Sequence, residues 1–252
     1  MAQQKGLVKL RGTLDDFTFT NRKNGEYRVR HKTSLDKSRV YTDDKFQRTR
    51  ENMAEFTRAM AANKLFKESC KPLVRNISTP RLHTRLFTEM MRMVKLDAIN
   101  DRGQRQVLDA ETTLMEGFEF NTAAFLPDVL PLQFTSSIDR ATGALQIDIP
   151  AFTPQTTLVP PEGATHFQIL TAALEISFEN NTYHLVENHT GVLPWDGTAI
   201  PASSLTCNLT PGSTHPLFQF VGLQFFQEIL NGSRYPLKNG ANNALRIVKV
   251  DA

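Results

Sequence analysis

The amino-acid sequence predicts an α+β protein in which an N-terminal β-hairpin and helices are followed by an antiparallel, immunoglobulin-like β-sandwich. In the first 110 residues apolar side chains recur three and four positions apart, whereas the later residues form short alternating runs between turn signals. Composition changes near residue 112 as well. We therefore predict a basic hairpin-and-helix region at residues 1–112 and an acidic β-sandwich domain at residues 113–252.

The two predicted parts carry opposite charge. Residues 1–110 hold 24 Lys and Arg against 13 Asp and Glu, a net charge of +11, and residues 111–252 hold 5 against 13, a net charge of −8. Two of the 13 prolines precede residue 111, and all seven methionines lie at or before Met115. The formal total of +3 hides a strong separation of charge along the chain.

The overall composition is typical of a folded globular protein. Of the 252 residues, 40% are apolar and 22% are charged, which excludes disordered, collagen-like and disulfide-rich classes. No stretch approaches the roughly 18 consecutive apolar residues that a membrane helix requires, and residues 1–5 lack the apolar run of a signal peptide. From these observations we expect a soluble, cytoplasmic protein.

The first predicted element is a hairpin over about residues 15–32. Phe17 and Phe19 alternate with polar neighbours, and Asn24-Gly25 is a strong two-residue turn signal. The second strand alternates between two sets of side chains, so one face is apolar and the other is a row of three cations. The apolar set is Tyr27, Val29 and His31, and the cationic set is Arg28, Arg30 and Lys32.

Helices follow the hairpin. The residues from Thr42 to Asp44 predict an N-terminal cap, and an apolar stripe then predicts a helix over about residues 44–61. A second helical piece near Leu65 should end or bend at Pro72. Thr79-Pro80 predicts the start of another helix, which runs to about residue 97. The first stripe consists of Phe46, Met53, Phe56 and Met60 and the last of Leu82, Leu86, Met90, Met93 and Val94.

The first stripe leaves two interpretations open. Phe46, Met53, Phe56 and Met60 either pack on the β-sheets of the same chain or are buried between copies of the chain. The first interpretation is the simpler one, because an amphipathic helix usually covers its own core.

Eight or nine short strands follow residue 112. Alternating runs separated by Asn, Asp and Gly turns predict an antiparallel sandwich or barrel. The immunoglobulin-like arrangement is preferred, although the Cys and Trp spacing of antibody domains is absent. The runs are residues 118–120, 132–138, 145–149, 166–170, 174–178, 183–186, 205–209, 217–230 and 245–250.

Catalytic and metal-binding motifs are not found in the sequence. Cys70 and Cys207 lie in different parts and are predicted to be reduced. The six histidines are scattered, and His184 with His189 does not meet zinc spacing. The chain also lacks a phosphate-binding glycine loop and a nucleophile elbow. We therefore predict no catalytic residue, no cofactor and no metal ion.

Two aspartates leave a catalytic alternative open. Asp139 and Asp148 flank a predicted hairpin and would, if they faced each other, form a carboxylate pair for acid–base chemistry. A turn-initiating Asp and a solvent-facing strand Asp explain the same residues without chemistry, and this second interpretation is preferred.

The basic N-terminal region is the strongest functional signal. Its cations and one tyrosine would hold either phosphates of a nucleic acid or the acidic part of a neighbouring copy. A solvated cationic face without any partner is the simpler interpretation. Contact between the two parts of one chain, which would leave a monomer, is a further possibility. The candidate assembly or polyanion-binding residues are Lys5, Lys9, Arg11, Tyr27, Arg28, Arg30, Lys32, Arg48, Arg50 and Arg58.

Several segments resemble a group of uncharacterised proteins from Bacteroidota bacteria. The resemblance spans most of the chain and implies a bacterial cytoplasmic origin and the same two-part layout, with no activity or cofactor to carry over. The matching segments are GTL at 12–14 with Phe17, FQRTREN at 46–52, GQR at 103–105, GFEF at 117–120, IDRATG at 138–143, ATHF at 164–167 and YPLKNG at 235–240.

Taken together, the sequence predicts a non-enzymatic structural subunit. A contact between the basic part of one copy and the acidic part of the next is heterologous, so it produces a ring if the rotation closes and a filament or tube if it does not. Nucleic-acid binding through the basic region is the alternative function.

Overall fold

A computed structural model describes residues 2–5, 8–31, 37–77, 80–107, 112–229, 232–237 and 242–252. The chain forms two compact units, Met1–Arg50 and Glu51–Ala252. The division lies well before the composition change near residue 112, because the helices that follow Arg50 share a core with the later strands.

The N-terminal unit contains a four-stranded antiparallel sheet. Its strands β1 (Ala2–Gln3), β2 (Gly12–Leu14), β3 (Phe17–Asn21) and β4 (Tyr27–His31) lie in the order β1-β4-β3-β2. Strands β3 and β4 form the predicted hairpin, with Phe17 opposite His31. Gly25 has a φ of 80°, and its amide donates to the Arg22 carbonyl at 2.9 Å. The turn needs a left-handed residue at this position, which explains the Asn24-Gly25 signal.

Helical structure begins within the same unit. Helix α1 (Lys37–Thr42) leads into a short 3₁₀ turn (Asp44–Phe46) and then into α2 (Gln47–Ser69). The side chain of Asp43 accepts a hydrogen bond from the Lys45 amide at 3.0 Å, so the predicted cap is present. Lys32 and the rest of residues 32–36 lie outside the described residues.

The second unit contains the remaining helices and two sheets. Helix α2 continues to Ser69, beyond the predicted end at residue 61, and Pro72 follows it. The other elements, in chain order, are α3 (Leu82–Leu96), α4 (Leu126–Val129), β5 (Thr135–Asp139), β6 (Ala144–Ile149), α5 (Pro154–Thr157), β7 (His166–Ser177), β8 (Thr182–His189), β9 (Leu193–Pro194), β10 (Ser203–Asn208), β11 (Leu217–Glu228), β12 (Arg234–Pro236) and β13 (Ala244–Asp251).

All strand pairs in this unit are antiparallel among the described residues. Strands β10-β6-β5 form a three-stranded sheet, and β12-β11-β7-β8 form the main path of a six-stranded sheet in which β13 pairs with β11 and β9 with β7. Residues 166–170 and 174–178, predicted as two strands, belong to the single strand β7. The tripeptide at 118–120 pairs with β13 only through an isolated bridge, Glu119 opposite Arg246. The Asn239-Gly240 turn lies outside the described residues.

The central strands β7 and β11 are buried on both faces. On one face, Leu174 and Phe220 share a core with Phe66 of α2 and Leu86 of α3. On the other face the strands pack against the three-stranded sheet, in a core whose members include Ile147, Phe167 and Val221. The second unit therefore has helices, a central sheet and an outer sheet, which confirms a mixed α+β fold with several antiparallel sheets. Among the residues that the structure describes, no helix has the length and apolar character to cross a membrane.

Candidate functional site

The N-terminal sheet has two chemically distinct faces. Residues paired across an antiparallel register lie on the same face, and pairing of Leu14 with Phe17 and of Phe19 with Val29 places these side chains together. We call the resulting set the apolar face, which consists of Leu14, Phe17, Phe19, Tyr27 and Val29. The opposite, cationic face consists of Thr13, Thr18, Thr20, Arg28 and Arg30.

The apolar face has no core beneath it. None of residues 2–5, 8–31 and 38–50 is buried. Leu14 is 63% exposed and Phe17 is 49% exposed, although Phe17 contacts the His31 ring edge-on at 5.7 Å between ring centroids. A sheet normally covers its apolar face with another layer. Phe19, Tyr27 and Val29 are half-buried, so Leu14 and Phe17 form most of the accessible part of this apolar face.

The strand cations predicted from the sequence are only partly available to a partner. Arg28 contacts Glu26 at 2.8 Å, and this hydrogen bond holds the pKa of Glu26 below its usual value. Arg30 is exposed and lies opposite Thr18. Lys9 lies over the ring of half-buried Tyr27, at 5.6 Å from its centroid. Lys5 and Arg11 are exposed.

The helix cations have mostly structural contacts. Arg48 is exposed. Arg50 donates to the backbone carbonyls of Val40 at 3.0 Å and Asp43 at 2.9 Å. Arg58 donates to the carbonyl of Gly103 at 2.6 Å and also contacts Gln104. Arg50 and Arg58 of the predicted set therefore stabilise local structure, each within its own unit.

The apolar stripe predicted for the first helix is not the buried face of α2. Met53 is 45% exposed and Phe56 is 50% exposed, and Phe56 contacts Phe87 of α3 edge-on at 4.9 Å. We call Met53, Phe56 and half-buried Met60 the α2 stripe. The face that α2 buries consists of Glu55, Ala59, Ala62, Asn63, Phe66 and Ser69.

The predicted face of α2 is wrong because its buried face contains hydrogen-bonded polar residues. The buried carboxylate of Glu55 accepts the Gly103 amide at 2.8 Å, and the Asn63 amide contacts the His83 ring at 2.9 Å. These bonds offset the burial of polar groups. Since a hydrophobicity pattern scores Glu and Asn as exposed, it cannot identify this face. The corresponding prediction for α3 is confirmed, because Leu82, Leu86, Met90, Met93 and Val94 are its buried residues.

Asp139 and Asp148 do not form a carboxylate pair. In the hairpin, Asp139 lies opposite Ala144 and Asp148 opposite Thr135, so the two carboxylates are separated by four residues, about 13 Å along the strand. The Asp139 side chain accepts from Thr142 at 2.6 Å, and that of Asp148 accepts from Ser204 at 2.6 Å. These hydrogen bonds lower both pKa values. Both residues are accounted for as a turn residue and a strand residue.

Sequence analysis did not single out the buried Glu119, which borders a cleft of about 460 Å³. Burial raises the pKa of its carboxyl to about 6, even though the Leu126 amide at 3.3 Å and Arg246 at 3.4 Å favour the charged form. Arg85 donates to the carbonyls of Glu119 and Phe120. Each of these contacts joins two different segments of the chain, so we assign the cluster around Glu119 a role in stabilising the fold. Its only sequence signal is a charged residue between two aromatic neighbours, Phe118 and Phe120.

The cysteines and histidines have structural surroundings. Cys70 and Cys207 are free and buried, and burial raises their thiol pKa values to about 12 and about 11. His166 contacts Glu228 at 3.3 Å and Thr165 at 2.9 Å. Within the described ranges, no group of three or more His, Cys, Asp or Glu side chains is placed to hold a metal ion.

Comparison of the chain with protein-family models, with curated proteins and with solved structures finds no match. The resemblance to Bacteroidota proteins therefore stays a prediction. Among the described surfaces, the apolar face of the N-terminal sheet is the strongest candidate for a binding surface, because Leu14 and Phe17 are exposed on it.

Proposed function

We propose that this protein is a non-enzymatic structural subunit that self-assembles head to tail into a filament, tube or ring. The observation that carries the proposal is the absence of any buried residue in residues 2–5, 8–31 and 38–50, although residues 2–5 and 8–31 contain the four strands of a sheet with one apolar face. Small sheets without a core are marginally stable in water. A partner surface would supply the missing layer.

The energy available from covering the apolar face is substantial. Leu14 and Phe17 each leave about half or more of their surface in water. Burying about 100 Å² of each corresponds to about 5 kcal/mol in total, before the cost of association is subtracted. A contact of this kind also orders the sheet, since the strands gain a second layer.

Charge gives the proposed contact a direction. Residues 1–50 hold 13 Lys and Arg against 6 Asp and Glu, a net charge of +7, whereas residues 51–252 hold 16 against 20, a net charge of −4. Two N-terminal units repel each other, and an N-terminal unit is attracted to the second unit of another copy. The favoured contact is therefore heterologous, which produces a ring or an open polymer.

Nucleic-acid binding is the alternative function. The observation in its favour is the cationic face, where exposed Arg30 lies beside Thr18 and Thr20. Arg28 is bound by Glu26, and Arg50 and Arg58 donate to backbone carbonyls. Exposed Lys5, Arg11, Arg30 and Arg48 remain available to phosphates, but the contacts of Arg28, Arg50 and Arg58 reduce the predicted set, so self-assembly is the preferred proposal.

Two finer expectations belong to this proposal. We infer an immunoglobulin-like sandwich for the strands after residue 134, which the shared core of the three-stranded and six-stranded sheets supports. We also infer that the subunit acts in the cytoplasm, which the free thiols of Cys70 and Cys207 support. An experimental structure and fractionation of cells that express the protein would test these two inferences.

Size measurement tests the proposed function directly. Light scattering coupled to size-exclusion chromatography at low salt should show species several times the 28.4 kDa of one chain, and their size should fall as salt screens the charges. At low salt, where charges act over about 30 Å, Arg30→Glu should weaken the assembly because it lowers the net charge of residues 1–50 from +7 to +5. A constant 28.4 kDa species at high protein concentration and low salt would overturn the proposal.

The same samples test the alternative function, nucleic-acid binding. Fluorescence anisotropy with labelled single-stranded and duplex DNA should show no binding if the protein is only a structural subunit. Binding whose logarithm falls linearly with the logarithm of salt concentration, by a monomeric protein, would favour the nucleic-acid function instead.

A further inference from the structure

Helix α2 has two apolar faces, and only one of them is covered. Ala59 and Phe66 lie in the core of the second unit. Met53 and Phe56 lie on the other face and keep about half of their surface accessible in a single chain. A surface helix of a monomer normally exposes a polar face on this side. The α2 stripe is therefore a second uncovered apolar surface, independent of the apolar face of the N-terminal sheet.

The two uncovered surfaces match in size and character. Their exposed side chains amount to about 600 Å² of apolar area, counting about 100 Å² for each half-exposed large side chain and less for the half-buried ones. Since a little over half of a protein interface is apolar, a contact that covers both buries about 1,000–1,200 Å², which is the lower limit for a stable interface. The side chains concerned are Leu14, Phe17, Phe19 and Val29 on the sheet and Met53, Phe56, Met60 and Phe87 on the helices.

We infer that the apolar face of the N-terminal sheet of one copy packs on the α2 stripe of the next copy. This inference rests on the proposed self-assembly and names its acceptor surface. Each copy supplies one sheet and one stripe, so the contact is heterologous and repeats along the assembly.

Electrostatics is compatible with this contact. Arg28 and Arg30 project from the cationic face, on the side of the sheet away from the contact. Lys9 lies over the Tyr27 ring of the apolar face, at 5.6 Å from its centroid, and Arg92 of α3 is 3.7 Å from Glu89. Arg28 and Arg30 are separated from the contact by about the thickness of a sheet, roughly 10 Å, which exceeds the screening length of about 8 Å at physiological salt.

Two single-charge variants test the pairing of these surfaces. Phe17→Glu places a charge on the apolar face and leaves the α2 stripe intact. Phe56→Glu places a charge on the α2 stripe and leaves the apolar face intact. Each variant alone should self-associate at least about tenfold more weakly than the wild type, because a charge is placed at the centre of an apolar contact. Tyr235→Glu is the matched control, since Tyr235 is 55% exposed on β12, outside both surfaces.

Mixing the variants gives the decisive result. An equimolar mixture of Phe17→Glu and Phe56→Glu should form a 1:1 heterodimer, because one intact sheet face meets one intact stripe and neither chain can extend further. Sedimentation velocity and native mass spectrometry measure this species. The Tyr235→Glu control should assemble as the wild type does.

The other outcomes separate this inference from the proposed function. If Phe56→Glu assembles as well as the wild type, the stripe is not the acceptor, while self-assembly stands. If both variants are monomeric and their mixture stays monomeric, the intact sheet face does not bind the intact stripe and the inference is overturned. If each variant forms a homodimer by itself, each surface meets its own counterpart, and this result also overturns the inference. A monomeric wild type overturns the proposed function itself.

Cross-linking gives a second measurement if a glutamate variant fails to fold. A Leu14→Cys chain mixed with a Met53→Cys chain should form the mixed disulfide under mild oxidation in preference to either homodimer. The two native cysteines are buried and do not interfere. Predominant homodimers would overturn the inference.

Discussion

Glu119→Gln is expected to remove a pH dependence of stability that the wild type shows between about pH 4.5 and pH 6. Burial raises the pKa of the Glu119 carboxyl from 4.5 to about 6. In the variant, the amide oxygen can still accept the Leu126 amide, which lies 3.3 Å from the carboxylate. The substitution therefore removes the buried charge and preserves one of its main contacts.

The sign of the effect follows from the raised pKa. Below pH 4.5 the carboxyl is protonated in both the folded and the unfolded state, and the full stability is present. As pH rises through about 6, the folded state has to bury a charge, so the free energy of unfolding falls relative to that of the variant. A shift of about 1.5 pH units, reduced for partial solvent screening, corresponds to about 1–2 kcal/mol. At neutral pH the variant should be more stable by about this amount, which already includes the loss of the charged contact with Arg246.

Urea unfolding followed through the single Trp195 measures the effect at low protein concentration across this pH range. Glu116→Gln is the matched control, because Glu116 borders the same cleft and is exposed. It should change the pH profile little. Parallel profiles for the wild type and Glu119→Gln between pH 4.5 and pH 6 would refute the reasoning.

Three further substitutions test the structural contacts. Arg58→Ala should lower the free energy of unfolding, measured in urea, by about 1–3 kcal/mol, because the carbonyls of Gly103 and Arg105 lose a charged donor. Unchanged stability would return Arg58 to the candidate binding residues. Asp97→Ala should cost about 2–3 kcal/mol in the same assay, because three backbone amides, those of Ile99, Asn100 and Gln106, lose their acceptor, and Asp97→Asn should recover part of it. Gly143→Ala should lower the thermal unfolding midpoint and reduce the free energy of unfolding by about 2 kcal/mol or more. The φ of Gly143 is 75°, and a Cβ at this position would lie 2.5 Å from the Leu209 carbonyl oxygen. A midpoint equal to that of the wild type would contradict the turn geometry.

Local elements were predictable where their cause is local. The hairpin follows from Asn24-Gly25, because a turn of this type requires a positive φ that glycine provides. The buried stripe of α3 follows from apolar spacing, because Leu86, Met90 and Met93 have no polar residue among their buried companions. The same spacing failed for α2, whose buried face contains Glu55 and Asn63.

The candidate site was predictable only in part. Alternation along β4 correctly assigned Arg28 and Arg30 to one face and Tyr27 and Val29 to the other. It could not show that the apolar face lacks a covering layer, because coverage depends on every other element of the chain. Nor could it show that Arg50 donates to carbonyls of its own unit rather than to a ligand.

The sequence by itself determined the hairpin of β3 and β4, the helix α3, most strands of the second unit and the separation of charge, because propensity, periodicity and turn chemistry act over a few residues. Only the tertiary structure decided which surfaces are covered. Arg58 meets Gly103, and Glu119 meets Arg246, across 45 and 127 residues of chain. Such contacts depend on which distant segments of the chain meet in the fold, and a local sequence pattern carries no information on this. The exposure of the apolar face and of the α2 stripe, on which the proposed assembly depends, therefore became visible only in the folded molecule.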